Sequence, residues 1–280
     1  MRLAATVLTL MILTSTHTDL AASTDTAERH LVNFVLLGAT GDLSAKYLWT
    51  SLWKLYQDEE EGRGTRRLRV TAAARDEPEA GTKRIRALIH DATTMCDHGN
   101  VDDANHDSAL CQKNRREFFS AVSYRQLKRK EHWIEMCAKL NQTDQEDKWG
   151  EEVARIFFLA IPPFAYPEVA QAIRSYCRPK EGTRLRVAFE KPFGSSLESA
   201  LKLQQQVTEG FAAEEVLHID HYLGKAVVRD LLRLRRQSPN LIDEKIDAGR
   251  LSRVDIVIRE SIDSKGRTRC VCVCVCVCVC

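Results

Sequence analysis

The sequence predicts an α/β fold in which a doubly wound parallel sheet carries helices on both faces. Two observations predict it: short apolar runs stop at Gly or Pro, and stretches of helical period follow them. Leu31 to Leu37 is the first such run, ending at Gly38 as a buried strand should. From Leu43 to Tyr56 the apolar residues Leu43, Tyr47, Leu48, Leu52 and Leu55 share one helical face. Leu68 to Ala74 reads as the second strand, after a turn at Gly62-Arg63-Gly64. Arg155 to Ile161 is another central strand, closed by Pro162-Pro163, and Pro167 to Cys177 supplies the returning helix. Leu185 to Phe189 and Leu197 to Val207 repeat that strand and helix. Between Asp76 and Gly150 the chain is more polar and mostly helical, with pieces at Lys83–Ile89 and Glu117–Leu127. No internal repeat is present.

The pattern sets an expected division: a leading segment over residues 1–23, a Rossmann-like doubly wound domain over 24–215, and the truncated start of an α+β second domain over 216–269. In that last part Val216 to Ile219 leads to a helix from Lys225 to Arg236, and Val254 to Ile258 alternates as a half-buried strand. Its missing partner makes an exposed edge, so the chain by itself is expected to aggregate.

A 280-residue chain with 44% hydrophobic content has enough apolar material for a sizeable core. Its 41 basic and 39 acidic residues leave a net charge of +2, which argues against nucleic acid as a partner. Arg2, the apolar run from Ala4 to Leu13 and the small residues Ala21, Ala22 and Ser23 form a secretory signal pattern. The run is about half of the roughly 20 apolar residues that a membrane span needs. Asn141-Gln142-Thr143 is an N-glycosylation acceptor, and Cys96, Cys111, Cys137 and Cys177 are an even set before the tail. A disulfide between Cys96 and Cys111 would close the polar stretch from Asp97 to Ala109. Four cysteines allow three pairings, however, and a buried free thiol is an equal reading for Cys177. Cys270 to Cys280 alternates Cys and Val without a break, as a translated T and G repeat does. It is read as an artefact of the gene model, because four convergent metal ligands need turns that a uniform period of two lacks, and no metal site is expected.

Gly38-Ala39-Thr40-Gly41-Asp42-Leu43 lies between a predicted strand and a predicted helix, where a dinucleotide phosphate site belongs. The glycines let the backbone approach a pyrophosphate, and the helix start offers N–H groups and a positive dipole. Arg75, ending the second strand, stands where a coenzyme 2′-phosphate is read, which favours NADP, while neighbouring Asp76 keeps NAD open.

The full string with Lys46 resembles the coenzyme fingerprint of the glucose-6-phosphate dehydrogenase family. Glu190-Lys191-Pro192-Phe193-Gly194 and Ile219-Asp220-His221-Tyr222-Leu223-Gly224-Lys225 resemble two further strings of that family, in its order, so the likeness covers Leu31 to about Arg269. The signal pattern, the Cys96 and Cys111 pair, Tyr124-Arg125-Gln126-Leu127 and Pro162 to Tyr166 are similar to the luminal, hexose-6-phosphate branch. The resemblance implies an endoplasmic reticulum location and oxidation of the C1 hydroxyl of glucose 6-phosphate, or another hexose 6-phosphate, with NADP reduced. It places the sugar phosphate on His221, Tyr222 and Lys225, with Glu260 on sugar hydroxyls. It gives Asp220 the orientation of a catalytic histidine, Lys191 a position near both coenzyme and sugar, and Pro192 a cis bond. The coenzyme falls to Gly38, Thr40, Gly41, Asp42, Leu43, Arg75 and Lys191.

Each of these residues has an ordinary alternative. Lys191 and Lys225 read singly are solvated lysines, His221 a satisfied surface histidine, Asp220 a helix cap and Arg75 a surface arginine. Their shared order favours the functional reading. All eight histidines stand at or before His221, so the family's downstream histidine base is expected to be absent, the chain alone inactive and its full-length parent an active homodimer. A non-catalytic nucleotide-binding remnant and an unrelated Rossmann oxidoreductase are the alternatives.

Overall fold

The computed structural model describes residues 30–62, 66–96, 108–146 and 152–219, with Asp230, Arg233, Leu234 and Gln237. Strand β1 spans His30–Leu37 and is buried along its whole length, as a strand with neighbours on both sides and helices on both faces must be. A π-helical turn at Ser44–Leu48 leads into α1, Trp49–Gly62, so the predicted helix is present but extends further. Then follow β2 (Arg66–Ala74), α2 (Pro78–Ala92), α3 (Ser108–Ala121), β3 (Val122–Gln126) and α4 (Lys130–Glu146). After them come β4 (Glu152–Leu159), α5 (Tyr166–Tyr176), β5 (Thr183–Glu190), α6 (Leu197–Thr208) and β6 (Val216–Ile219).

All pairings are parallel, in the order β3-β2-β1-β4-β5-β6. The chain winds outward from β1 to β3, then crosses to β4 and winds the other way. Between β1 and β4 the connections leave in opposite directions, which opens a crevice at the carboxyl ends of these strands. One face of the sheet packs Phe34, Leu36, Val70 and Phe158 against Trp49, Trp53, Ile85 and Phe118 of α1, α2 and α3. The other packs Val35, Phe157, Val187 and Phe189 against Met136, Ala170, Ile173 and Val207 of α4, α5 and α6.

Two predicted elements need correction. Glu117–Leu127 was expected as one helix, but α3 ends at Ala121 and Val122–Gln126 is the edge strand β3. Only one flank of that strand is paired, so its residues need not be apolar. Val216–Ile219 was expected to open the second domain, yet Val187 to Glu190 pair with it and make it the sixth strand of the first sheet. The compact unit accordingly runs to Gly224, and the second unit begins at Lys225. Within the second unit the four described residues are helical, with Arg233 Nη1 3.8 Å from the Asp230 carboxylate.

The four described cysteines pair as Cys96–Cys111 and Cys137–Cys177, with Cα separations of 5.4 and 4.9 Å. The second pair joins α4 to the end of α5. Beside it Arg155, wholly buried on β4, donates to the Asp144 carboxylate, to Asn141 Oδ1 at 2.9 Å and to the Cys177 carbonyl at 2.9 Å. Asp144 also accepts from the Asn33 amide of β1. Burial pushes the Asp144 carboxyl up and the Arg155 guanidinium down, and the charge of each partly offsets the other's shift. The sequon asparagine, Asn141, thus sits within a helix rather than in a loop.

Candidate functional site

At the end of β1 the backbone must turn beside the end of β4. Gly38 has φ of +79°, and a Cβ there would lie 2.2 Å from the Ala160 carbonyl oxygen, so only glycine fits. The turn is tied on both sides. Gly38 and Ala39 donate to the Ala73 carbonyl at 2.9 and 3.1 Å, Gly41 donates to Gly38 at 2.9 Å, and Ala160 donates to Leu37 at 2.9 Å. From below, the Ser44 hydroxyl donates to the Gly38 carbonyl at 2.9 Å, and the buried indole of Trp49 donates to the Ala39 carbonyl at 3.0 Å. These bonds occupy the carbonyls on the inner side of the turn. A helix starts directly beyond it, and the first N–H groups of a helix have no intrahelical partners, so the arrangement suits an anion.

Arg75 and Asp76 follow β2, at the same carboxyl edge. Arg75 is solvent-exposed. Asp76 accepts from the Thr40 hydroxyl at 2.6 Å, which links the glycine turn to the end of β2. The Tyr124 hydroxyl donates to the Asp76 carbonyl at 2.7 Å. Burial, followed by the negative charges of Asp76 and Glu77, pushes the Tyr124 phenol up to about 12, so this donor keeps its proton at any physiological pH.

On the other side of the crevice β5 ends at Glu190, and the Lys191–Pro192 peptide is cis, as the family likeness implied. Tyr166, at the start of α5 and 1% exposed, donates its hydroxyl to the Glu190 carbonyl at 2.6 Å and meets Phe189 edge-on at 5.3 Å. Burial holds the Tyr166 phenol well above its usual range. The Lys191 backbone N–H donates to Glu190 Oε2 at 3.2 Å. Both sides of the peptide that carries Lys191 are therefore fixed, while its side chain is half-buried.

The structure brings Gly38, Thr40, Gly41, Asp42, Leu43, Arg75 and Lys191 to one edge of the sheet. Arg75 and Lys191 stand on opposite sides of β1 and β4; at ordinary strand spacing that puts about 14 Å between their strands. Asp220, His221, Tyr222, Lys225 and Glu260 lie outside the described residues, as do residues 1–23, the Val254–Ile258 strand and the Cys-Val tail. Ile219, the last residue before that phosphate-clamp string, pairs with Glu190, the residue before Lys191. A cleft of about 690 Å³, lined by Arg67, Arg69, Arg116, Arg125 and Lys139 among others, is at the opposite, amino end of β2 and is no part of this site. The sequence shows neither the carbonyls that Tyr124 and Tyr166 reach nor the bond from Thr40 to Asp76. Both tyrosines lie in strings that resemble the luminal branch, but no spacing rule tells which carbonyl a tyrosine will reach.

Fold and edge together define a class, a doubly wound α/β domain with a glycine turn at its topological switch point. The family model described as glucose-6-phosphate dehydrogenase, NAD binding domain, matches residues 35–230, and the chain belongs to that family. It is 36% identical over 237 residues to the GDH/6PGL endoplasmic bifunctional protein of Homo sapiens and 34% identical to that of Oryctolagus cuniculus. These matches span 85% of this chain but 29% and 28% of the relatives. It is 32% identical to glucose-6-phosphate 1-dehydrogenase of Schizosaccharomyces pombe, over 83% of this chain and 43% of that protein. The chain therefore spans under half the length of these relatives. A solved glucose-6-phosphate dehydrogenase in complex with its substrate glucose-6-phosphate superposes with a TM-score of 0.59 at 29% identity, covering 76% of this chain and 41% of the other. The enzyme of Mycobacterium avium shares the fold at a TM-score of 0.58 and 23% identity, over 86% and 46%.

Proposed function

We propose that this chain is the coenzyme-binding part of an NADP-linked hexose-6-phosphate dehydrogenase of the endoplasmic reticulum lumen. The observation that carries the reading is the turn at Gly38, which presses against the end of β4 at the switch point of the sheet and opens a helix toward the crevice. A dinucleotide's diphosphate suits that turn, its 2′-phosphate suits exposed Arg75, and its nicotinamide end runs toward β5 and Lys191. The coenzyme supplies a hydride acceptor. Residues of this chain bind and orient around it.

In the proposed reaction the C1 hydroxyl of glucose 6-phosphate is oxidised to the lactone. His221, Tyr222 and Lys225 hold the sugar's 6-phosphate, Glu260 accepts from sugar hydroxyls, Asp220 orients the histidine base, and Lys191 sits between sugar and coenzyme. Support for this arrangement is the pairing of Ile219 with Glu190, which starts the clamp string one residue beyond the strand that flanks Lys191's own. Residence in the lumen draws support from the two disulfides, since such bonds persist in oxidising compartments, and from the endoplasmic relatives. Among the described residues no helix is long and apolar enough to cross a membrane. The complete enzyme is proposed to work as a homodimer and to accept other hexose 6-phosphates.

Two measurements test the reading. Calorimetry of the 280-residue chain with NADP should show one site per chain, and absence of binding contradicts the coenzyme assignment. A protein extended to the length of the endoplasmic relatives should then reduce NADP when glucose 6-phosphate is added. If it reduces NADP only when a hexose 6-phosphate is present, the reading stands; if none of the hexose phosphates tested is turned over, the substrate assignment fails.

A further inference from the structure

Asp76 is the one carboxylate directly beside Arg75 at the end of β2, and in doubly wound nucleotide domains an acid at this place accepts hydrogen bonds from the adenosine ribose and selects against a 2′-phosphate. Here it stands beside an arginine of the opposite preference. We propose that the hydrogen bond from Thr40 to Asp76 is a coenzyme-selectivity latch, which turns the carboxylate toward the glycine turn and leaves Arg75 to read the 2′-phosphate. The inference rests on the dinucleotide reading and deepens it by giving Thr40 and Asp76 a shared role.

The geometry supports a held carboxylate rather than a mobile one. Thr40 is 9% exposed, and its hydroxyl reaches Asp76 Oδ2 at 2.6 Å. The backbone around Asp76 is bonded to β3 residue by residue. Leu127 N–H donates to the Ala74 carbonyl at 2.7 Å, Gln126 Nε2 to the Arg75 carbonyl at 3.3 Å, and Tyr124 Oη to the Asp76 carbonyl at 2.7 Å. The Tyr124 ring is itself wedged against Gly81, where a Cβ would come within 2.1 Å of Cζ. These bonds fix the backbone that carries Asp76, so its carboxylate can swing toward a bound ribose only by side-chain rotation that breaks its bond to Thr40. Among the described residues no hydrogen bond or ion pair restrains the exposed side chain of Arg75.

A freed carboxylate would gain charge-assisted bonds to ribose hydroxyls and repel a 2′-phosphate. The test uses the 280-residue chain, with NADP and NAD titrated separately into wild type, Thr40→Val, Asp76→Asn and the double variant, and thermal melts as a check on folding. Thr40→Val keeps the side-chain shape and releases Asp76, so the preference for NADP over NAD should fall by about tenfold or more. Adding Asp76→Asn should restore the preference, because no charge remains to be released. Asp76→Asn alone should change it by less than about threefold, since the carboxylate is already withdrawn. The proposal is overturned if Thr40→Val leaves the preference intact. It is equally overturned if the double variant is not restored, which would mean that Thr40 acts on the coenzyme directly. If Thr40→Val does not fold, Asp76→Asn decides alone, and a gain of about tenfold or more in NADP preference refutes the latch. Wild type that binds neither coenzyme would instead sink the dinucleotide reading.

Discussion

The carboxyl edge of the sheet and its amino half are secured by different means. At the carboxyl edge backbone bonds, glycine and a few hydroxyls hold the ends of β1 to β5 in place, while the cationic side chains Arg75 and Lys191 are left exposed or half-buried. In the amino half Arg155 is wholly buried against Asp144, Asn141 and the Cys177 carbonyl, beside the Cys137–Cys177 disulfide. Both terminal guanidinium nitrogens of Arg155 are committed to partners within the fold. On the proposed reading, side chains at the carboxyl edge answer to a coenzyme, whereas the buried cluster around Arg155 answers to stability.

The largest effect is expected where the two requirements meet. Gly38→Val puts a Cβ 2.2 Å from the Ala160 oxygen at a φ of +79°, so it should cost more than about 4 kcal/mol in urea denaturation and abolish NADP binding. Arg155→Met leaves Asp144 buried without its cation and should cost about 3–5 kcal/mol, yet the molecules that remain folded should bind NADP with unchanged Kd. A loss of coenzyme affinity in that variant would break the separation between the two regions. Arg75→Gln should do the reverse. Stability should stay within about 0.5 kcal/mol, while NADP affinity falls roughly 10- to 100-fold and NAD affinity hardly moves.

The smallest effect concerns pH. His218 on β6 packs edge-on against Phe193 at 4.8 Å, and the partial desolvation of its otherwise exposed side chain lowers its affinity for a proton below that of an ordinary histidine. A depressed folded value means that its contribution is complete above the unfolded value near 6.5 and declines as pH falls from there toward the folded value. Melting temperature of the wild type should therefore drop slightly below pH 6.5, and His218→Gln should flatten that slope. An unchanged slope would show that other groups set the acid limit.

The strands β1, β4 and β5 were legible in the sequence because a strand covered on both faces must be apolar nearly throughout. Edge strand β3 was not, since Val122-Ser123-Tyr124-Arg125-Gln126 has one open flank and no apolar run to mark it. Strand β6 was seen as a short apolar stretch and assigned to the wrong domain, because its partner β5 lies across a helix that spacing alone cannot fold back. Of the proposed site, the glycine turn and Arg75 were legible from context, and Lys191 only from the family likeness of its string. The bond between Thr40 and Asp76 was not, as it joins residues 36 apart that meet only once β1 and β2 are paired. The pairing of Cys137 with Cys177 likewise needed the packing of α4 on α5, which four cysteines in a row of residues do not encode.

The turn after β1 is proposed to receive the diphosphate of a dinucleotide. Titration of the isotope-labelled chain with NADP, followed by amide NMR, tests it most directly. The largest shifts should fall on the amides of Gly38 to Leu43, with those of Arg75 and Asp76 next. Binding that leaves these amides unmoved, or that moves the basic cleft at Arg67 and Arg69 instead, would contradict the account.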